Sequence, residues 1–273
     1  TGRQALAAVG STTALINMFV NLFIGISLGA NVLAARFFAA KKEREMSETV
    51  HTAIAFALVS GIGMAFIGVA FARTALELMG TPDDVIQLSA LYMRLYFCGM
   101  PFFMLYNYGA AILRAIGDTK RPLLFLVIAG VANVALNLLL VIVFHLGVAG
   151  VAIGTIISQM ISSILVLRCL CKAEASYRLH FSKLSIKGVY MKQIFKVGIP
   201  AGIQSTVINF SNVLLQSSVN SFGSTAMAGY TAANNIFGFL YASANSITQA
   251  CMSFTSQNYG AGKWKRIDRV VVD

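Results

Sequence analysis

Acid is what this sequence has least of: ten Asp and Glu stand against 21 Lys and Arg in 273 residues. The acids lie at Glu43, Glu45, Glu48, Glu77, Asp83, Asp84, Asp118, Glu174, Asp268 and Asp273, and none falls in the middle of an apolar run. With only three His and four Cys besides, no His, Cys and acid cluster converges at any depth, which argues against an enzyme. Cys98, Cys169, Cys171 and Cys251 sit in or beside apolar runs, where cysteine packs as a small hydrophobe; Cys169-x-Cys171 lacks metal-site spacing. Charged residues of both signs make up 11% of the chain and hydrophobic ones 57%, with a mean hydropathy of +0.74. That is too apolar for a soluble domain of this length. The net charge of +11 does not imply nucleic acid, because the bases lie between apolar runs and are not interleaved with aromatics.

What is present is long apolar runs. Seven are long enough to cross a bilayer: about Leu15–Phe38, Val50–Ala72, Leu88–Leu113, Leu123–Phe144, Val148–Leu170, Val197–Phe222 and Met227–Phe254. The fold class expected is all-α integral membrane. Between the third and fourth spans, Arg114-Ala-Ile-Gly117-Asp118-Thr119-Lys120-Arg121-Pro122 is a tight polar turn. Gly117 suits a helix end, Asp118 or Thr119 a cap, and Pro122 a first turn. Pro101 and Pro200, beside Gly99 and Gly198, predict kinks in the third and sixth spans.

Charge orients the chain. Lys and Arg follow spans one, three, five and seven (Arg36–Arg44, Arg114–Arg121, Arg168–Lys196 and Lys263–Arg269), whereas the opposite loops hold only Arg3, Arg73 and Arg94. The positive-inside rule places the basic loops in the cytoplasm of a multi-pass protein of the cell (inner) membrane. The residues before span one then lie outside, and a cytoplasmic N-terminus would require one more helix upstream. The long basic loop Lys172–Lys196 reads as a connector at the anionic inner leaflet and as a boundary between bundles. The expected organisation is a first lobe over 1–171, a linker over 172–196 and the start of a second lobe over 197–273. An internal echo supports it: Ala5–Val9 and Ala35–Lys42 around span one correspond in register to Ala226–Tyr230 and Ser256–Lys263 around span seven. Two parallel repeats of six spans would produce this pattern.

Three motifs carry a family resemblance. Arg114–Pro122, Val197-Gly-Ile-Pro200-Ala-Gly202 and Gln257-Asn-Tyr259-Gly-Ala-Gly262, in this order and on these sides, resemble the multidrug and toxic compound extrusion (MATE) transporters. The resemblance implies two pseudo-symmetric six-helix lobes, of which the chain holds about the second to eighth of twelve spans. It implies multidrug efflux by a protein that is monomeric when complete. Such a protein would be an antiporter that exports amphipathic, often cationic compounds against sodium or proton by alternating access, with no cofactor beyond that coupling ion. Similar proteins carry an Asp on the first span, absent here, and often an acid on the fifth, four residues after an Asn. Here Asn133-x-x-x-Asn137 puts an amide in the acid's place.

At 100° per residue Asn133 and Asn137 share a helical face about 40° wide. Their amide oxygens, with Thr155 and Ser158 on the next span, are a candidate sodium site; interhelical hydrogen bonding at about 0.6–2 kcal/mol each is the plainer reading. Asn17, Asn21 and Asn31 fall within about 80° on span one, as do Ser205, Asn209, Asn212, Gln216 and Asn220 on span six. Span seven adds Asn234, Tyr241, Asn245 and Gln249, and Tyr106 is an aromatic candidate for a cationic ligand. Amides cannot face lipid cheaply, so these stripes are expected to wall a hydrated cavity. Two other functions stay open. A lipid-linked polysaccharide flippase of related architecture would want a cation-lined cavity, and a seven-helix receptor would need no repeat six spans apart.

Overall fold

The computed structural model describes residues 2–78, 83–173, 175–220 and 224–272, and every regular element in them is helical. In chain order these are α1 (Gly2–Ala39), α2 (Glu43–Leu78), α3 (Asp83–Cys98), α4 (Met100–Ala115), α5 (Lys120–Leu138), α6 (Gly147–Cys171), α7 (Gly188–Asn220), α8 (Ser224–Gly260) and α9 (Trp264–Val272). A π-helical turn, Leu139–Val143, prolongs α5, and a short 3-10 turn, Phe181–Lys183, lies in the connector before α7. Among the described residues, Phe19–Ala39, Glu43–Leu78, Lys120–Val143 and Gly147–Cys171 are long and apolar enough to cross a membrane, and the α3–α4 pair is too if counted as one bent span.

Local sequence explains the breaks. The third expected span is two helices meeting at 44°. Gly99 closes α3 by donating its N–H to Tyr96 O, and Pro101, which has no N–H to give, sits in the first turn of α4. At the end of α4, Gly117 adopts φ +91° and lets the Asp118 N–H reach back to Leu113 O, the glycine-dependent way of closing a helix. Asp118 then starts α5: its carboxylate accepts the Arg121 backbone N–H at 3.2 Å and pairs with the Arg121 guanidinium at 3.3 Å. The other internal proline does not divide its helix. α7 continues through Pro200 from 188 to 220, and its start at Gly188 makes the last part of the basic connector helical.

The sequence echo has a structural counterpart. α1 ends at Ala39, Lys41 takes φ 55° and α2 begins at Glu43; α8 ends at Gly260, Gly262 takes φ 69° and α9 begins at Trp264. The turn hydrogen bonds Ala40→Arg36, Lys41→Phe38 and Lys42→Phe37 recur as Ala261→Gln257, Gly262→Tyr259 and Lys263→Asn258. Helix end, left-handed residue and restart thus repeat bond for bond.

The core lies where α1 to α4 meet, with α6 and the base of α7 against it. Met46, Ile54, Phe97, Met100, Met104, Tyr108, Ile112, Leu113 and Ile194 are all essentially inaccessible. By contrast α5 turns Leu123, Val127, Val131, Val134 and Leu138 outward, with Val131 67% exposed. In hydrocarbon such exposure costs nothing, because lipid tails are as apolar as leucine.

The basic loops gather at one end of the bundle. The connector docks on α2: the His180 N–H donates to His51 Nε2 at 3.1 Å, the Lys187 N–H to Thr52 Oγ1 at 3.3 Å, and Lys187 Nζ pairs with Glu48 at 2.6 Å. His51 Nδ1 lies 2.6 Å from Ser47 O. That carbonyl can only accept, so His51 holds its proton on Nδ1 and offers Nε2 to the connector.

Candidate functional site: a cleft between α1, α4, α7 and α8

The site begins with glycine. α1 carries Gly25 and Gly29, and α7 carries Gly198 and Gly202, each pair one helical turn apart. They face each other antiparallel. A Cβ on Gly25 would overlap the Gly202 backbone, one on Gly29 would overlap Ile194 O, and one on Gly198 would come within 2.6 Å of Ile26 Cα. Small residues at this spacing let two backbones touch, which is how membrane helices pack without a hydrophobic driving force. Nearer the basic end, α8 approaches α1 in the same manner: a Cβ on Gly260 would overlap Arg36 O, and the Arg36 guanidinium sits 5.0 Å from the Tyr259 ring centroid.

Polar ties reinforce this closure. Asn31 on α1 donates to Ala111 O on α4 at 2.8 Å and accepts from Ser253 on α8 at 3.0 Å. Gln257 on α8 donates to Ala115 O on α4 at 2.7 Å. Both sit in the last turns before the basic end, so α8 is bonded there to α1 and α4.

Away from that end the helices part. A cavity of about 840 Å³ opens between them, with Asn21, Ile24 and Leu28 from α1, Asn107 and Arg114 from α4, Ser205 and Ile208 from α7, and Phe237, Tyr241, Asn245 and Gln249 from α8. A second, of about 590 Å³, lies between α4, the start of α5 and α8; Asn31, Tyr106, Arg114, Gln249 and Gln257 are on its walls. Arg114 and Gln249 belong to both.

The expected residues divide as follows. Asn21 and Asn245 line the larger cavity, with Ser205, Tyr241 and Gln249. Asn31 is 2% exposed and has both ends of its amide engaged, so it is a tie between helices as well as a wall of the smaller cavity. Tyr106 lines that cavity too, but its hydroxyl is committed to Pro122 O at 3.0 Å. Asn17 is exposed, and its backbone carbonyl accepts from Asn21 Nδ2 at 2.8 Å. The side chains of Asn209, Asn212, Gln216, Asn220 and Asn234 lie outside the described residues.

The candidate ion ligands come together on α5 and α6. Asn137 Nδ2 donates to Asn133 Oδ1 at 3.1 Å, and Asn133 Nδ2 to Ser158 Oγ at 3.3 Å. Asn137 lies over Gly154, where no side chain intervenes. Its Oδ1 is buried and has no partner among the described residues. The partner from α6 is Ser158; the Thr155 hydroxyl donates to Val151 O within its own helix at 2.9 Å. Among the described residues no three His, Cys, Asp or Glu cluster as metal ligands, so any cation here would be held by neutral oxygens.

Sequence reading missed the glycine pairs and the Ser253 and Gln257 ties. Their signal was available: glycines four apart inside apolar helices mark a close crossing. Arg114 was read as a surface anchor, yet side chains lean toward a helix's N-terminus, which carries this one back into the bundle.

Known proteins fit this arrangement. The family description MatE matches residues 1–139 and 200–273. The chain belongs to the MATE family. MATE proteins are multi-pass membrane transporters, and the fold here is theirs. Among relatives, the probable multidrug resistance protein YoeA of Bacillus subtilis is 32% identical over 99% of this chain and 60% of its own length. A MATE transporter solved in an outward-facing conformation superposes with a TM-score of 0.89 at 21% identity, covering 99% of this chain and 60% of that one. An inward-facing form scores 0.77 at the same identity, over 99% and 62%. The chain therefore spans about three-fifths of the length of the proteins it matches.

Proposed function

We propose that this MATE chain works within a secondary active exporter of amphipathic organic compounds, driven by sodium or proton influx and operating by alternating access in the cell (inner) membrane. One observation carries the reading: a cleft lies between α1, α4, α7 and α8, and near the basic end these helices are tied by backbone contact and hydrogen bonds. With that end in the cytoplasm, this is the arrangement of a carrier that has released its cargo outward. The better superposition on the outward-facing transporter supports the same reading. The complete protein is taken to be a monomer of two lobes.

The coupling ion is assigned to the α5–α6 cluster. Asn137 Oδ1 is a buried acceptor that no described residue satisfies, and an unmet buried acceptor costs about 1–3 kcal/mol. A sodium ion, which prefers hard oxygen ligands, removes that cost with Asn133 Oδ1, Ser158 Oγ and the lone pairs of Thr155 nearby. The test uses the full-length protein in proteoliposomes, following ethidium efflux after a sodium or a pH jump. Efflux under a sodium gradient, with sodium also raising the melting temperature, is expected; Asn137→Ala should abolish both sodium effects. An Asn137→Ala protein with its sodium response intact removes Asn137 from the ligands, and no efflux of either ethidium or a carboxylate dye under either gradient removes the exporter.

A further inference from the structure

Resting on that exporter reading, we infer that the cleft built by this chain takes an organic anion, and that Arg114 selects it. The four helices that wall the cleft, α1, α4, α7 and α8, contain no Asp or Glu anywhere in their length. Among the described residues, Arg114 is the only charged side chain on the walls of either cavity, and it lines both. Its guanidinium makes no ion pair or hydrogen bond to any described residue; the nearest acid in sequence, Asp118, is paired with Arg121.

A cation in the last turn of a helix commonly serves the unpaired carbonyls there. At the end of α4 three of the last four carbonyls, those of Leu113, Arg114 and Ala115, are already occupied. Leu113 O accepts from Ile116 and Asp118, Arg114 O from Gly117, Ala115 O from Gln257 and Ala111 O from Asn31. The five guanidinium donors are therefore unused, and arginine stays charged in any protein setting. Half-buried and without a counter-charge, such a group favours an incoming carboxylate, sulfonate or phosphate, which its planar fork can hold through two parallel bonds. Around it, Asn107 and Gln249 supply further donors, and Leu28, Ile24 and Phe237 supply apolar wall. The fitting ligand is an amphipathic anion: an acidic head toward Arg114 and an apolar body between α1 and α8.

Two dyes of similar size test this on the purified full-length protein, one bearing a carboxylate, the other being ethidium. Wild type should bind the carboxylate dye more tightly, and its affinity should fall as salt rises. Arg114→Gln should weaken the carboxylate dye at least tenfold and move ethidium less than twofold; Arg114→Lys should keep most of the anion binding. Ethidium bound by wild type more tightly than the carboxylate dye overturns the inference, as does an equal loss of both dyes in Arg114→Gln that Arg114→Lys shares. If Arg114→Gln does not fold, Arg114→Lys decides: anion binding retained with its salt dependence upholds the assignment, and its loss overturns it. Export of ethidium alone would remove this inference and leave the exporter standing. Export of neither dye would remove the exporter itself.

Discussion

The α1–α7 seam and the α5–α6 pair both rest on glycine, and they use it for different ends. In the seam, Gly25, Gly29, Gly198 and Gly202 are buried and bring two backbones into contact. In the pair, Gly154 makes room for the Asn137 amide, and Gly150 lets α6 lie against Leu140. The remaining faces of α5 are apolar and exposed. One region has no slack for a side chain; the other has slack that holds a polar group with one bond unmade. A closed contact made of backbone either forms or parts, which suits a gate. A buried amide oxygen with no partner among the described residues suits an ion.

The largest test of that contrast is steric. Gly29→Leu puts a side chain into Ile194 O and Gly198, and overpacking of this kind costs about 1–3 kcal/mol or more. We expect it to lower the thermal stability of the full-length protein sharply, while Val131→Leu on the exposed face of α5 changes it by less than about 0.5 kcal/mol. Equal effects at both sites would mean the seam is not a tight contact.

A smaller effect is expected at the ties. Ser253→Ala and Gln257→Ala each remove one interhelical hydrogen bond, worth about 0.6–1.7 kcal/mol in a membrane. The pair together should open the basic end, seen as faster thiol labelling of a cysteine placed at Gly260. Unchanged labelling would leave the glycines alone in charge of the closure.

The smallest concerns the connector. Burial first, then Arg178, Lys183 and the stacked His51 ring, hold the His180 imidazole below its ordinary range. A histidine whose folded pKa is depressed costs stability as pH falls below its unfolded value of about 6.5. Amide exchange in the connector around His180 should therefore speed up several-fold between pH 7.5 and 5.5, and His180→Gln should flatten the change. Exchange that is independent of pH in wild type would show that the docking does not sense protons.

Hydropathy found the apolar segments because a span must satisfy its backbone internally, and that demand is written in about 20 consecutive residues. Hydropathy alone did not mark the bend at Gly99, since a run of apolar residues reads the same straight or broken; Pro101 beside Gly99 did. The Asn133–Asn137 face was visible from spacing alone. Its partner Ser158 and the unmet Oδ1 were not, because they depend on how α6 is rotated against α5.

Composition and periodicity determined the membrane and the order of the apolar helices, and the local sequence carried the echo between the ends of α1 and α8, each being a property of residues near in sequence. The tertiary structure alone decided which amides tie helices together and which line open space, and that Arg114 faces a cavity and not the membrane surface. Those outcomes turn on contacts between helices as much as 222 residues apart, as between Asn31 and Ser253, and no local pattern encodes the rotation that brings them together.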